Sequence, residues 1–187
     1  MTALAAELKN NYKDILKPAF VLFVITAVVV GLLAVVNGFT AERIEENKVI
    51  AYQNSLKEVM PGAKSFRQAK QEEGLTVEQA FDASGTYIGS CVLVTTNGYG
   101  GEIEVMVGVG ADGKVTSIDI LSASETAGLG AKASGDKFRG QFAGRSEARL
   151  KKDGGEIDAI SGATITSRAV TNAVAAALDS VNNGEGK

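Results

Sequence analysis

The chain has no histidine, no tryptophan, one cysteine and two prolines in 187 residues. Without histidine there is no Ser-His-Asp triad, no Cys-His dyad and no imidazole to hold a metal. A single thiol, Cys91, excludes an intramolecular disulfide, an iron–sulfur cluster held by this chain alone and every multi-cysteine zinc site. Basic residues number 19 against 22 acidic ones, for a net charge of −3, and no basic run is present. Phosphate neutralisation along a nucleic acid therefore has no obvious carrier. Any chemistry must come from Ser, Thr, Asp, Glu, Lys, Arg or a bound cofactor. The length suits one domain with a real core and one additional element.

Glycine is scarce in the first third: only Gly31, Gly38 and Gly62 precede residue 70, and the other 19 of 22 follow it. Helix is expected first and a turn-rich sheet domain later. Ala19 to Phe39 is a run of 21 residues without a charge, and at about 1.5 Å per residue it reaches roughly 30 Å, the hydrocarbon thickness of a bilayer. Pro18 is expected in the first turn of that helix, where its missing N–H costs nothing. A cleaved signal peptide is the competing reading, but it would have a shorter apolar region followed by a small-x-small site, so a retained anchor is expected. Lys9, Lys13 and Lys17 before the span balance Arg43, Lys48 and Lys57 after it. The charge count is a tie that only weakly places the amino terminus inside.

Beyond the span, Ile44, Val49, Ile50, Leu56, Val59 and Met60 recur at roughly helical spacing up to Pro61-Gly62, which predicts a helical connector. The expected segments are an N-terminus at 1–18, a transmembrane helix at 19–39, a connector at 40–66 and a globular domain at 67–187. From Leu75 the period changes to two. Val77 to Phe81 and Tyr87 to Thr95 flank the turn Asp82-Ala83-Ser84-Gly85 and read as a hairpin. Ile103, Val105, Val107 and Val109 alternate with Glu102, Glu104 and Met106, and the turn Ala111–Lys114 leads to Val115, Ile118 and Ile120. That alternation predicts an antiparallel sheet with one wet face. Residues 134–144 are expected to form a short helix carrying Phe138 and Phe142, and Ser167 to Val181 a helix on the sheet, with 182–187 frayed. Cys91, in an apolar strand, reads as a buried core thiol. The fold class expected is α+β.

Three polar, glycine-containing loops interrupt the domain. Asn97–Gly101 reads as a turn or bulge, and Ser124–Gly130 as a structural turn or as backbone that could press against a planar ligand. The third, Asp158–Ser167, carries four hydroxyl residues into the start of the last helix. Such a helix start suits an anion, and ordinary capping by Thr166 or Ser167 is the alternative. Arg145 and Lys152, upstream of it, are candidates to offset a phosphate charge or plain surface residues.

The string Asp-x-x-Ser-Gly-Ala-Thr resembles the flavinylation motif of FMN-binding domains in bacterial respiratory complexes. The resemblance implies FMN joined through a phosphoester to Thr164, with Asp158, Ser161, Gly162 and Ala163 completing the motif and Thr166 beside it. Glu125, Thr126, Gly128, Leu129 and Gly130 resemble the family's second flavin-contacting loop, with Ala127 where members usually have proline. Gly98-Tyr99-Gly100-Gly101 is also typical of the group. The three loops in this order, after one span, are most similar to the G subunit of the Rnf ion-translocating electron-transport complex. The C subunit of the sodium-pumping NADH:quinone reductase is the related alternative, and a membrane-anchored extracytoplasmic binding or scaffold module without redox activity is the alternative of another class.

The resemblance implies covalent FMN as cofactor, no catalytic side chain and no metal. It implies an electron-carrying subunit of a complex coupling ferredoxin:NAD oxidoreduction to ion translocation, anchored in the cell membrane with its C-terminal domain extracytoplasmic. Its partners would be other subunits, membrane lipid and a magnesium-dependent flavin transferase using FAD. A threonine hydroxyl is a poor nucleophile and has no histidine here to activate it, so self-attachment is not expected. The glycine strings lack the strand–GxGxxG–helix setting of an NAD site.

Overall fold

The computed structural model describes residues 2–185. The chain divides into two compact units, residues 1–49 and 50–187. Helix α1, Thr2–Val59, runs through the first unit and ends in the second. Pro18 lies inside it and not in its first turn. An interior proline gives up one i→i−4 hydrogen bond and crowds the carbonyl four residues back, yet the helix continues on both sides of it. The stretch from Leu16 onward is long and apolar enough to cross a membrane, and none of its most apolar window is buried by the protein. Its hydroxyls are satisfied internally: Thr26 Oγ1 donates to the Leu22 carbonyl at 2.8 Å and Thr40 Oγ1 to that of Val36 at 3.0 Å, as apolar surroundings require.

The second unit is α+β. Five antiparallel strands, β1 (Ser65–Glu72), β2 (Leu75–Phe81), β3 (Tyr87–Asn97), β4 (Glu102–Gly110) and β5 (Val115–Ala123), form a meander in chain order. Strand β1 has no counterpart among the expected elements. It is an edge strand, exposed or half-exposed at every residue, so no buried face imposes a period of two on its sequence. The other four strands fall where alternation placed them.

One face of the sheet buries Val77, Val92, Val105, Val107 and Ile118 beneath Val170, Val174, Ala177 and Leu178 of helix α3 (Thr164–Ser180) and beside Phe138, Phe142, Leu150 and Ile157. The opposite face was expected to be wet, and at one end it is not. Met106 and Cys91 are buried there with Leu56 and Val59 from the end of α1 and Met60 just beyond it. Thr116 Oγ1 donates to the Val59 carbonyl at 2.6 Å, and a side chain at Gly108 would meet that same carbonyl. Arg139 joins Glu58, Asp119 and Asp136, each at 2.8 Å. The last turns of α1 are thus part of the sheet domain. Burial here pushes the Cys91 thiol up to about 12, because low polarity disfavours the thiolate. It is a core group and not a nucleophile.

Residues 134–144 are less helical than expected. Helix α2 is only Asp136–Arg139, preceded by a 3₁₀ turn at Gly130–Ser134. Gly140 follows α2 directly, and Gly144 has φ of 75°. Of the tail expected to fray, residues 182–185 belong to a π-helical turn that begins at Val181, and residues 186–187 lie outside the described residues.

Candidate functional site

Each of the three loops is shaped by its own local chemistry. The Asn97–Gly101 loop closes the β3–β4 hairpin, with the Gly98 N–H donating to the Gly101 carbonyl at 2.8 Å. After β5, the Leu129 N–H donates to the Thr126 carbonyl at 3.2 Å and Gly128 has φ of 78°. These features define a type II turn with glycine at its third position. Ala127 occupies the second position, where proline is favoured, and its N–H has no acceptor among the described residues. Ala127→Pro is therefore expected to stabilise the domain by about 0.4–1 kcal/mol, read as a raised urea midpoint at unchanged slope. A lower midpoint would mean that the φ at 127 is unsuited to proline.

The third loop repeats this device. The Ala163 N–H donates to the Ile160 carbonyl at 3.0 Å across Ser161-Gly162, and Gly162 has φ of 79°. Helix α3 begins immediately afterwards, with Ala163 at the N-cap and no side-chain cap. Neither Thr166 nor Ser167 caps it, contrary to the plainer expectation. Ser167 Oγ instead accepts from the Ile160 N–H at 2.9 Å and donates to the Ala163 carbonyl at 2.8 Å, which ties the turn to the helix. Among the described residues, the N–H groups of Thr164, Ile165 and Thr166 have no acceptor. Three donors and the positive end of the helix dipole are left for an external anion.

The three loops meet at one cleft of about 430 Å³. Glu125, Thr126, Leu129 and Gly130 line it from the β5 side, and Gly162, Ala163, Thr164 and Thr166 from the α3 side. Gly128 shapes its turn without lining the cleft. Two further residues line it that the sequence reading left out of the candidate set, Tyr99 and Ile165. Their signal was available: an aromatic among glycines, and an apolar residue between two threonines of a polar loop. Tyr99 is 70% exposed, Ile165 55% and Leu129 43%. Besides Ile50 they are the exposed large apolar side chains described for the second unit, and all three belong to this cleft.

Asp158 and Ser161 are placed elsewhere. They face a separate cavity of about 590 Å³ with Phe138, Gln141 and Ile160. Asp158 Oδ2 pairs with Lys151 Nζ at 2.7 Å, and its N–H donates to Gln141 Oε1 at 2.7 Å. Asp158 thus holds the base of the loop. Arg145 pairs with Glu156 and lies in a polar depression apart from the cleft, and Lys152 sits exposed on the 3₁₀ turn Lys151–Asp153. Glu125 is the one charged residue lining the cleft among the described residues.

The two hydroxyls differ in access. Thr164 is exposed, whereas Thr166 is 1% exposed. The cleft thus combines apolar walls, an accessible hydroxyl, three free backbone donors and a volume within the usual range for small ligands. A planar ring with a phosphate tail fits that donor set. Among the described residues no cluster of side chains able to hold a metal ion occurs.

Both parts of the chain are similar to known proteins. Residues 98–179 match the FMN-binding domain family, and residues 1–59 match the RnfG N-terminal region. The G subunit of the Na(+)-translocating ferredoxin:NAD(+) oxidoreductase complex of Acetobacterium woodii is 38% identical over 186 residues, covering 88% of this chain and 90% of that one. The G subunit of the ion-translocating oxidoreductase complex of Methanosarcina acetivorans is 33% identical over 187 residues, 95% of this chain and all (100%) of that one. Among solved structures, the C subunit of the Na(+)-translocating NADH-quinone reductase from Parabacteroides distasonis aligns over 60% of this chain and 62% of its own, with a TM-score of 0.47 and 24% identity. With an N-terminal region and a flavin domain both matched, and full-length relatives above 30% identity, the chain belongs to the G-subunit family of the Rnf ion-translocating oxidoreductase complexes.

Proposed function

We propose that this protein is the electron-carrying G subunit of a membrane-bound ferredoxin:NAD+ oxidoreductase complex that translocates ions, with FMN joined through its phosphate to the Thr164 hydroxyl. The observation that carries this reading is the position of Thr164. Its exposed hydroxyl opens the cleft at the uncapped start of α3, so a phosphoryl group on it would lie beside three unused N–H donors. Tyr99, Leu129 and Ile165 supply apolar surface for a flat ring. Bound there, FMN supplies reversible electron transfer, and the protein supplies the seat.

No side chain of the protein has to move a proton in electron carriage. Attachment is a different matter. The Thr164 oxygen would displace AMP from FAD at the phosphorus of the flavin half, forming one P–O bond as the pyrophosphate bond breaks. The chain has no histidine to activate that hydroxyl, and Glu125, the one charged residue lining the cleft among the described residues, directs its Oε1 to the Tyr99 and Gly100 N–H groups. The base and the magnesium ion therefore belong to a separate flavin transferase. Among the described residues no cation lines the cleft, so a phosphoester on Thr164 would have the helix terminus to offset its charge.

The same reading places residues 1–18 in the cytoplasm, the span 19–39 among lipids and the domain from residue 67 outside, against other subunits of the complex. A reporter fused after residue 187 and active only in the cytoplasm would overturn that orientation. The decisive experiment on function is mass spectrometry of the chain co-produced with a flavin transferase. The expected result is a gain of FMN less one water, retained on denaturation and mapped to the Thr164 peptide. An unmodified chain would instead favour an anchored binding or scaffold module.

A further inference from the structure

Glu125 lies between the two loops that wall the cleft, and its carboxylate bonds across them. Oε1 accepts from the Tyr99 N–H at 2.7 Å and the Gly100 N–H at 3.4 Å. The surroundings are cut to admit it. A Cβ at Gly98 would meet Oε1, and one at Gly130 would stand 2.5 Å from Oε2 and 2.7 Å from the Glu125 Cβ. A Cβ at Gly100 would meet the Ser124 carbonyl. Of these glycines, none has a φ in the left-handed region, so conformational freedom does not account for them. At Gly130 the Glu125 side chain alone occupies the space that a Cβ would need, at Gly98 it does so together with Ile103 Cδ1 at 2.5 Å, and at Gly100 the preceding Ser124 carbonyl does.

From this juxtaposition we infer that Glu125 is a positioning residue: it fixes the Tyr99 loop against the Leu129–Gly130 loop and so sets the seat of the flavin ring, without itself acting on the ring. The inference rests on the flavin reading above for its consequence, but the clamp is a property of the chain alone. A carboxylate suits the task because it accepts from both N–H groups at one oxygen, and hydrogen bonds to a charged acceptor are stronger than neutral ones. Tyr99 is 70% exposed, so little packing holds its loop if these bonds are lost. Gly130, and Gly98 in part, therefore make room for the glutamate.

The test compares Glu125→Ala with Glu125→Gln, whose amide oxygen keeps both acceptor positions but carries no charge. In the flavin-free full chain in detergent, Glu125→Ala is expected to speed hydrogen exchange at the Tyr99 and Gly100 amides about tenfold or more, the scale of one lost bond to a carboxylate. Exchange in β4 should not change. Glu125→Gln should return the two rates close to wild type. Gly130→Ala, which displaces the Glu125 side chain, should reproduce the alanine phenotype. In the loaded chain, Glu125→Ala should raise flavin fluorescence and shift the flavin potential, and Glu125→Gln should restore both. Unchanged Tyr99 exchange in Glu125→Ala would overturn the clamp. Equal potential shifts in the alanine and glutamine variants would show that the charge acts on the ring directly and would overturn the positioning role. Absence of flavin on Thr164 in the wild-type chain would instead overturn the functional reading, and the exchange rates would still decide the clamp.

Discussion

Thr164→Ala is expected to lose all covalently held flavin while the domain remains folded. Thr164 is the first residue of α3, it is exposed, and its hydroxyl makes no hydrogen bond within the described structure. Removing it deletes the hydroxyl proposed to carry the phosphoryl group and little else. A surface change of this kind typically alters stability by about 0.5 kcal/mol or less, so circular dichroism and the urea midpoint should match wild type. Thr164→Ser, which keeps an exposed hydroxyl at the same place, should retain flavin. Thr166→Ala should retain it too, because Thr166 is 1% exposed and its oxygen is closed to a transferase. In-gel flavin fluorescence after denaturation reads all three. Flavin that persists on Thr164→Ala and disappears from Thr166→Ala would move the attachment by two positions and require α3 to unwind its first turn during maturation.

Phe142→Ala carries the largest expected effect on stability. Phe142 is fully buried and meets Phe138 edge to face, with ring centroids 5.4 Å apart and planes at 82°. Truncating a buried phenylalanine costs about 3–5 kcal/mol through lost transfer energy and the cavity left behind. Against a total of about 5–15 kcal/mol that is a large share, and for a domain of this size it lowers Tm by roughly 6–20 °C. The effect should reach the cleft as well. Gln141, next in the chain, holds both the N–H and the carbonyl of Asp158 at the base of the Thr164 loop, at 2.7 and 3.3 Å. Loss of the Phe142 anchor should therefore reduce flavinylation at temperatures where the domain is still folded. A Tm within a degree or two of wild type would mean that the surrounding side chains collapse into the space.

Four of the five strands, the apolar span, helix α3 and the buried state of Cys91 were legible in the residues themselves. The strands and α3 each bury a face, and burial imposes a period on sequence; the span is legible from its unbroken apolar run, which needs no period. Strand β1 was illegible for the converse reason: it is an edge whose side chains stay in solvent. The wet face assigned from Glu102, Glu104 and Met106 was right about the alternation but silent on what would cover its far end. The apolar positions of Leu56 and Val59 said that this helix has a buried side, and only the folded chain shows that the surface it meets is Cys91 and Met106.

At the site, the sequence by itself determined the kinds of groups available. Without histidine and with one thiol, it left hydroxyls, backbone and a cofactor to do the chemistry, and it set glycines where two type II turns require positive φ. Tertiary structure decided which of those groups share a surface. It brings Tyr99, Leu129 and Thr164 to one cleft from loops far apart in the chain, turns Asp158 away onto Lys151 and Gln141, and leaves α3 without a cap. It also assigns Gly98 and Gly130 to the Glu125 side chain. A residue's type and spacing state what it can bond. The direction in which a loop side chain points depends on contacts with segments distant in sequence, and no local periodicity encodes those.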